Sequence, residues 1–297
     1  MKSNIIKSND LVKVKKFNNH IILQNITNCN RKASIKRISG NRHINLSTGE
    51  IVENKKTLIR GESMRSLLES NLRLQDLIKE NTVDIQKLLL ITLTYREKIL
   101  DTKKVNEDFK VFIKYLRKHF TEYGEIEYIN TLEKKDENSG FHIHAILFFN
   151  KSTRSVFLPV QTLNDAWKNG YTSVGKPKGK QEVYFYLTPH LSKEVNEKNS
   201  HMHNKALMQM QLPAGVNLYH YSKGIKKPTI YTDTYENVKK YLKENSYIYE
   251  SEQVYKNPMQ TYRGNNLYYC KEKYIKAEEQ PQMTDSKPHK RTPIWYL

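Results

Sequence analysis

The chain has 297 residues, with 50 Lys and Arg against 31 Asp and Glu, a formal charge of +19 at pH 7 and an isoelectric point near 9.6. That excess points to a polyanionic partner, nucleic acid first and an anionic membrane surface second. No run approaches the roughly 18–20 apolar residues of a spanning helix, Met1–Lys7 lacks the apolar stretch of a leader, and two distant cysteines, Cys29 and Cys270, exclude a disulfide framework and fit a reducing, cytoplasmic setting.

Residues 1–57 read as polar and irregular, with a basic stretch at Arg31, Lys32, Lys36, Arg37 and Arg42 suited to DNA phosphates. From Gly61 to Glu80 the apolar residues Met64, Leu67, Leu68, Leu74, Leu77 and Ile78 fall at helical spacing. Lys87 to Tyr95 then reads as a buried strand in which Thr92 and Thr94 alternate. The clearest helix covers residues 105–120, with Val105, Phe109, Phe112, Ile113, Leu116 and Phe120 on one stripe, Lys110, Lys114, Arg117 and Lys118 on the other side, and Asn106 or Asp101 as its cap.

Glu125 to Leu132 is a strand, Lys134 to Gly140 a polar turn, and Phe141 to Phe149 an apolar strand, which together predict an antiparallel hairpin. A short helix follows at Pro159–Lys168, then a basic turn at Lys176–Lys180, and a helix at Glu182–Lys193 irregular at Pro189. Beyond residue 196 the chain is polar, with a helix at Glu236–Glu244 and a tail from Lys276 whose composition predicts disorder. These shifts divide the chain into an N-terminal basic segment and helix (1–85), a core (86–196), a C-terminal region that binds DNA or packs on the core (197–275) and a tail (276–297).

The chemistry concentrates on the hairpin. His142 and His144 are two residues apart on a strand, so both imidazoles point to one face. Glu133 closes the neighbouring strand and can stand beside them. Two imidazoles and one carboxylate suit a divalent ion, Mn²⁺ or Mg²⁺, with positions left open for phosphate oxygens. The second pair, His201 and His203, lies in a polar stretch with no strand around it and is discounted as a metal site. Twenty tyrosines make any one of them weak evidence, and a phenol with its ordinary pKa near 10 needs a cation close by to act as a nucleophile.

Three motifs in order, Ile91-Thr92-Leu93-Thr94-Tyr95, Glu133 with Gly140-Phe141-His142-Ile143-His144, and Tyr186-Leu187-Thr188-Pro189-His190-Leu191-Ser192-Lys193, resemble those of rolling-circle replication initiators of bacterial plasmids and phages, in the HUH endonuclease superfamily. Trp167-Lys168-Asn169-Gly170, Thr48–Ile51, Arg60–Ser63 and Ser222–Pro228 resemble flanking motifs of initiators from low-GC Gram-positive bacteria. The resemblance implies an α+β fold with a ferredoxin-like core: a central antiparallel sheet with packed helices, plus N- and C-terminal extensions. It implies a metal-dependent, single-tyrosine DNA nicking-closing enzyme of the bacterial cytoplasm. Tyr186 would attack single-stranded origin DNA, leaving a 5′-phosphotyrosine link and a free 3′-OH. Glu133, His142 and His144 would hold the metal. Pro189 stands where relatives carry Lys, so the phosphate-side role falls to Lys193, and His190 replaces a second tyrosine and is assigned to the terminating step. Host helicase and polymerase are the implied partners besides DNA, with no membrane; the oligomeric state is left open. Conjugative relaxases place the tyrosine before the histidines, whereas Tyr186 follows them here. A transposase or relaxase of the same superfamily, or a non-catalytic DNA-binding protein, are the alternatives.

Overall fold

The computed structural model describes residues 5–26, 35–38, 42–54, 58–134, 138–188, 209–257 and 267–277. The strands are β1 (Leu11–Lys16), β2 (His20–Ile26), β3 (Ile35–Arg37), β4 (Arg42–Asn45), β5 (Ile51–Glu53), β6 (Leu88–Tyr95), β7 (Glu127–Lys134), β8 (Phe141–Phe148), β9 (Gly170–Gly175), β10 (Tyr219–Tyr221), β11 (Thr229–Thr234), β12 (Tyr247–Asn257) and β13 (Leu267–Lys276). The α-helices are α1 (Met64–Asn81), α2 (Thr102–His119), α3 (Val160–Trp167), α4 (Lys180–Tyr186) and α5 (Tyr235–Glu244). The fold is α+β, with antiparallel sheets throughout the described residues.

The chain forms two compact units, one of Met1–Lys56 with Pro228–Pro288, the other built on Thr57–Lys227. In the first, the sheet order is β11-β1-β2-β13-β12, so strands from the two ends of the chain alternate side by side. Its core gathers Val12, Val14, Ile21, Leu23, Val238, Leu242 and Tyr274 under α5, whose N-cap Thr234 accepts from the Asn237 N–H. A separate sheet, β3-β4-β5, carries Lys36, Arg37 and Arg42 of the basic stretch, while Arg31 and Lys32 lie outside the described residues. The region 1–57 is therefore stranded where the sequence predicted irregular chain. LVKVKK does alternate, but its partners Thr229–Thr234 are over 200 residues away, and only that pairing buries Val12 and Val14.

In the second unit the sheet order is β10-β7-β8-β6-β9. Successive side chains on a strand go to opposite faces. Leu89, Ile91, Leu93, Ile143, Ala145 and Leu147 point to one face and pack with Phe109, Phe112 and Leu116 of α2 and Leu163 and Trp167 of α3. Leu88, Leu90, Ile129, Ile146 and Phe148 point to the other and pack with Leu74, Leu77 and Ile78 of α1 and Val183 of α4. Asp101 caps α2 by accepting from the Lys103 N–H at 2.8 Å.

The fastening of β9 gives Trp167 and Gly170 their meaning. Trp167 Nε1 donates to the Thr94 carbonyl at 3.1 Å, and a Cβ on Gly170 would lie 2.1 Å from that same oxygen. Glycine is what lets β9 close on the end of β6. Likewise, Gly224 lies where a Cβ would meet the Glu127 carboxylate, which accepts from the Ser222 hydroxyl and the Gly224 N–H. Asn81 at the end of α1 exchanges hydrogen bonds with the Lys226 carbonyl and N–H. The Ser222–Lys227 stretch is thereby clamped onto β7 and α1.

Candidate active site

The site occupies the α1/α4 face of the second sheet, where that face turns from apolar to polar. Along β6 the residues on it run Leu88, Leu90, Thr92, Thr94, and along β8 they run Phe148, Ile146, His144, His142. Along β7 they run Ile129, Thr131, Glu133. The register makes two rows across the sheet. One is Tyr219, Thr131, His144, Thr92, Ser173, and the next is Glu133, His142, Thr94, Tyr171. Period-two alternation thus turns three ordinary strands into one polar patch.

Tyr186, the last residue of α4, brings its phenol onto this patch. Its hydroxyl lies 3.1 Å from Thr92 Oγ1, and the same Oγ1 lies 3.1 Å from His144 Nδ1. His144 Nε2 stands 3.4 Å from Glu133 Oε2, and Thr131 donates to Glu133 Oε1 at 3.4 Å. A continuous chain therefore runs Tyr186–Thr92–His144–Glu133–Thr131. The rings of His144 and Tyr186 meet edge-on at 5.6 Å, and those of His142 and His144 at 5.9 Å. Burial pushes the Tyr186 phenol up to about 12; the Thr92 hydrogen bond opposes this and the Glu133 charge adds to it.

Tyr184 takes another direction. Its ring lies beneath Lys79 Nζ of α1, at 5.8 Å from the centroid. Two residues along a helix rotate a side chain by roughly 200°, which separates the two phenols. The helix stops at Tyr186, short of the predicted Lys193. Thr188 Oγ1 donates to the Tyr184 carbonyl at 2.8 Å and accepts from Gln75 Nε2 at 3.3 Å. As the residue before Pro189, Thr188 is also disfavoured in the helical region. Pro189, His190, Lys193, His201 and His203 lie outside the described residues.

The donor set suits a divalent cation in kind: a buried carboxylate and two imidazoles on one face. Two ligands about 2.1 Å from one ion and at right angles stand about 3 Å apart, close to the 3.4 Å between His144 Nε2 and Glu133 Oε2. Because Nδ1 of His144 faces Thr92, Nε2 is the nitrogen turned to the carboxylate. With His142 included, the three ligand atoms do not all come within 4.8 Å of one another; the group among the described residues that does is a different one, Glu252, Cys270 and Glu272. There the Glu272 carboxylate accepts from the Tyr235 and Tyr274 hydroxyls and the Cys270 thiol donates to Glu252 at 3.4 Å, so the buried charge is met by the chain's own donors.

Thr92 and Thr131 are the site residues that sequence reasoning missed. Thr92 was legible only as strand alternation; its position across from His144 became visible with the register. Residues 88–195, running from β6 past α4, match the family model of replication-associated proteins of the ORF2 type. No curated protein and no solved structure matches the chain. The family match supports a protein of the replication-initiator kind, acting in DNA replication with DNA as its partner. No described helix is long and apolar enough to cross a membrane.

Proposed function

We propose that this protein initiates rolling-circle replication by cutting single-stranded origin DNA with Tyr186 as the nucleophile. The observation that carries the reading is the delivery of the Tyr186 hydroxyl, by α4, to the Thr92–His144–Glu133 row. On this reading residues 86–196 are the catalytic core, a ferredoxin-like HUH fold, and the family match over the same stretch supports it.

Tyr186 Oη attacks the scissile phosphorus. A P–O bond to tyrosine forms, and the P–O3′ bond breaks. The phenol proton leaves Tyr186, the 3′ oxygen takes one up, and the products are a 5′-phosphotyrosine and a free 3′-OH. The covalent link conserves the bond, so rejoining is the reverse step. With its pKa near 12 the resting phenol is neutral, so its proton must leave as attack proceeds. Thr92 holds Oη in place. Glu133, His142 and His144 would hold a divalent ion, Mg²⁺ or Mn²⁺, which when bound supplies Lewis-acid polarisation of the phosphate. Lys193 and His190 are assigned the phosphate-side and terminating roles.

The test uses single-stranded oligonucleotides tiled through the DNA that flanks the gene, incubated with the protein and Mn²⁺. Mass spectrometry of the adduct should place the phosphotyrosine on Tyr186. Tyr184→Phe should still form it, and Tyr186→Phe should bind DNA and form none. A phosphotyrosine on any other residue refutes the assignment.

A further inference from the structure

Between α1 and β10 lies a cavity of about 420 Å³ lined by Arg60, Ser70, Arg73, Leu218, Tyr219 and Tyr221, among others. Its size is within the range of ligand sites, about 300–1,000 Å³. The walls are aromatic and cationic. The Tyr219 and Tyr221 rings stack at 6.1 Å with 29° between planes, and Lys227 Nζ lies 5.7 Å from the Tyr221 centroid. Arg60 is held in place through Nε and an Nη by the Val216 carbonyl. Arg73 projects from the exposed side of α1, with no ion pair or hydrogen bond among the described residues. Its charge acts on the Tyr219 phenol more strongly than that of Asp76.

The register places this cavity in relation to the site. Tyr219 pairs with Thr131, and Thr131 pairs with His144. Directly opposed residues share a face, so Tyr219 lies in the His144 row, two strands away, or about 10 Å. A strand of DNA with its scissile phosphate at His144 would cross β7 and reach Tyr219 about one or two nucleotides on. Aromatic faces with guanidinium groups beside them are what a nucleobase and its phosphate require.

We propose that the α1/β10 cavity is a subsite for one nucleotide of single-stranded DNA, its base stacked on Tyr219 and Tyr221 and its phosphate met by Arg73 and Arg60. The placement beside the scissile position rests on the nicking reading; the occupancy of the cavity does not.

The test is equilibrium binding of a fluorescein-labelled twelve-nucleotide poly(dT) to the full chain in EDTA, where no cutting interferes. Tyr221→Ala, at an exposed position, should weaken binding by about five-fold or more, the low end of what one stacked base contributes, and Tyr221→Phe should stay within about two-fold. Arg73→Ala should weaken binding and lower the slope of log K against log salt by about 0.7, the value for one phosphate on a single strand. Affinities of Tyr221→Ala and Arg73→Ala both within two-fold of wild type would overturn the proposal. So would free dTMP competing at the same concentration as the oligonucleotide, which would assign the cavity to a free nucleotide. Adduct formation by Tyr186→Phe would sink the nicking reading and leave these affinities unchanged, so the two failures are distinguishable.

Discussion

Replacing Thr92 by Val removes one hydroxyl and keeps the β-branched shape. That hydroxyl joins Tyr186 to His144 in the described chain of contacts, at 3.1 Å to each. Two hydrogen bonds of about 0.5–1.5 kcal/mol net each put the loss near 2 kcal/mol. For a unit of this size a 2 kcal/mol change lowers Tm by about 4–8 °C. The larger effect should be on adduct formation. Tyr186 ends a short helix, and Thr92 is what fixes the position of its Oη; misplacing a reacting atom by about 1 Å costs about 100-fold. The assay is single-turnover adduct formation at saturating oligonucleotide, read on a denaturing gel. Thr92→Val should be slowed about 100-fold with DNA affinity retained, and Thr92→Ser should recover most of the rate because the hydroxyl returns. Wild-type adduct formation by Thr92→Val would refute the idea that this chain of hydrogen bonds positions the nucleophile.

Mn²⁺ should raise the Tm of the wild-type protein, as any ligand specific to the folded state does; Glu133→Gln and His144→Ala should abolish the rise, and an undiminished rise in both would place the ion elsewhere. Gly170→Ala should destabilise by about 3 kcal/mol or more in urea, since its Cβ would lie 2.1 Å from the Thr94 carbonyl oxygen and 2.9 Å from the Arg96 nitrogen, backbone that cannot move aside cheaply. Alkali should destabilise the fold. Tyr186 has a folded pKa near 12 against about 10 unfolded, so its contribution is whole below pH 10 and is lost as pH rises through 12. Two units correspond to about 2–3 kcal/mol, and burial shifts Tyr95 and Tyr274 the same way. Urea midpoints between pH 9 and 12 should fall less for Tyr186→Phe; an equal fall would mean that its phenol titrates normally.

What could be read from sequence follows the range of the interactions. The β7–β8 hairpin, β6, α2 and α5 announce themselves because period-two or helical spacing repeats within a few residues and the partner strand is close. Asp101 was one of two candidate caps, and the choice depended on where the first turn begins. By contrast β1, β2 and β13 were hidden. Each is rich in Lys or polar residues, and each acquires a core only from strands at the far end of the chain. No local window contains that information. The motif from Ser222 to Lys227 was legible as a resemblance but not as a clamp, since its partners Glu127 and Asn81 are about 100 and 145 residues away.

The site divides in the same way. That His142 and His144 share a face with Glu133 follows from alternation and a hairpin alone. Which histidine meets the carboxylate does not. Glu133 is directly across from His142 in register, yet its Oε2 approaches His144, the diagonal neighbour, at 3.4 Å. Strands in a sheet are rotated against one another with a fixed hand, and that rotation shortens one diagonal at the expense of the other. Thr131 then holds the remaining oxygen, Oε1, and Thr92 holds the far side of the His144 ring, so both ends of the Glu133–His144 pair are braced by hydroxyls from flanking strands. His142 sits in the next row, between Glu133 on β7 and Thr94 on β6. His144 is the imidazole that shares the Thr92 hydroxyl with Tyr186. Its substitution should therefore cost more than that of His142 in every assay that depends on the position of the Tyr186 phenol.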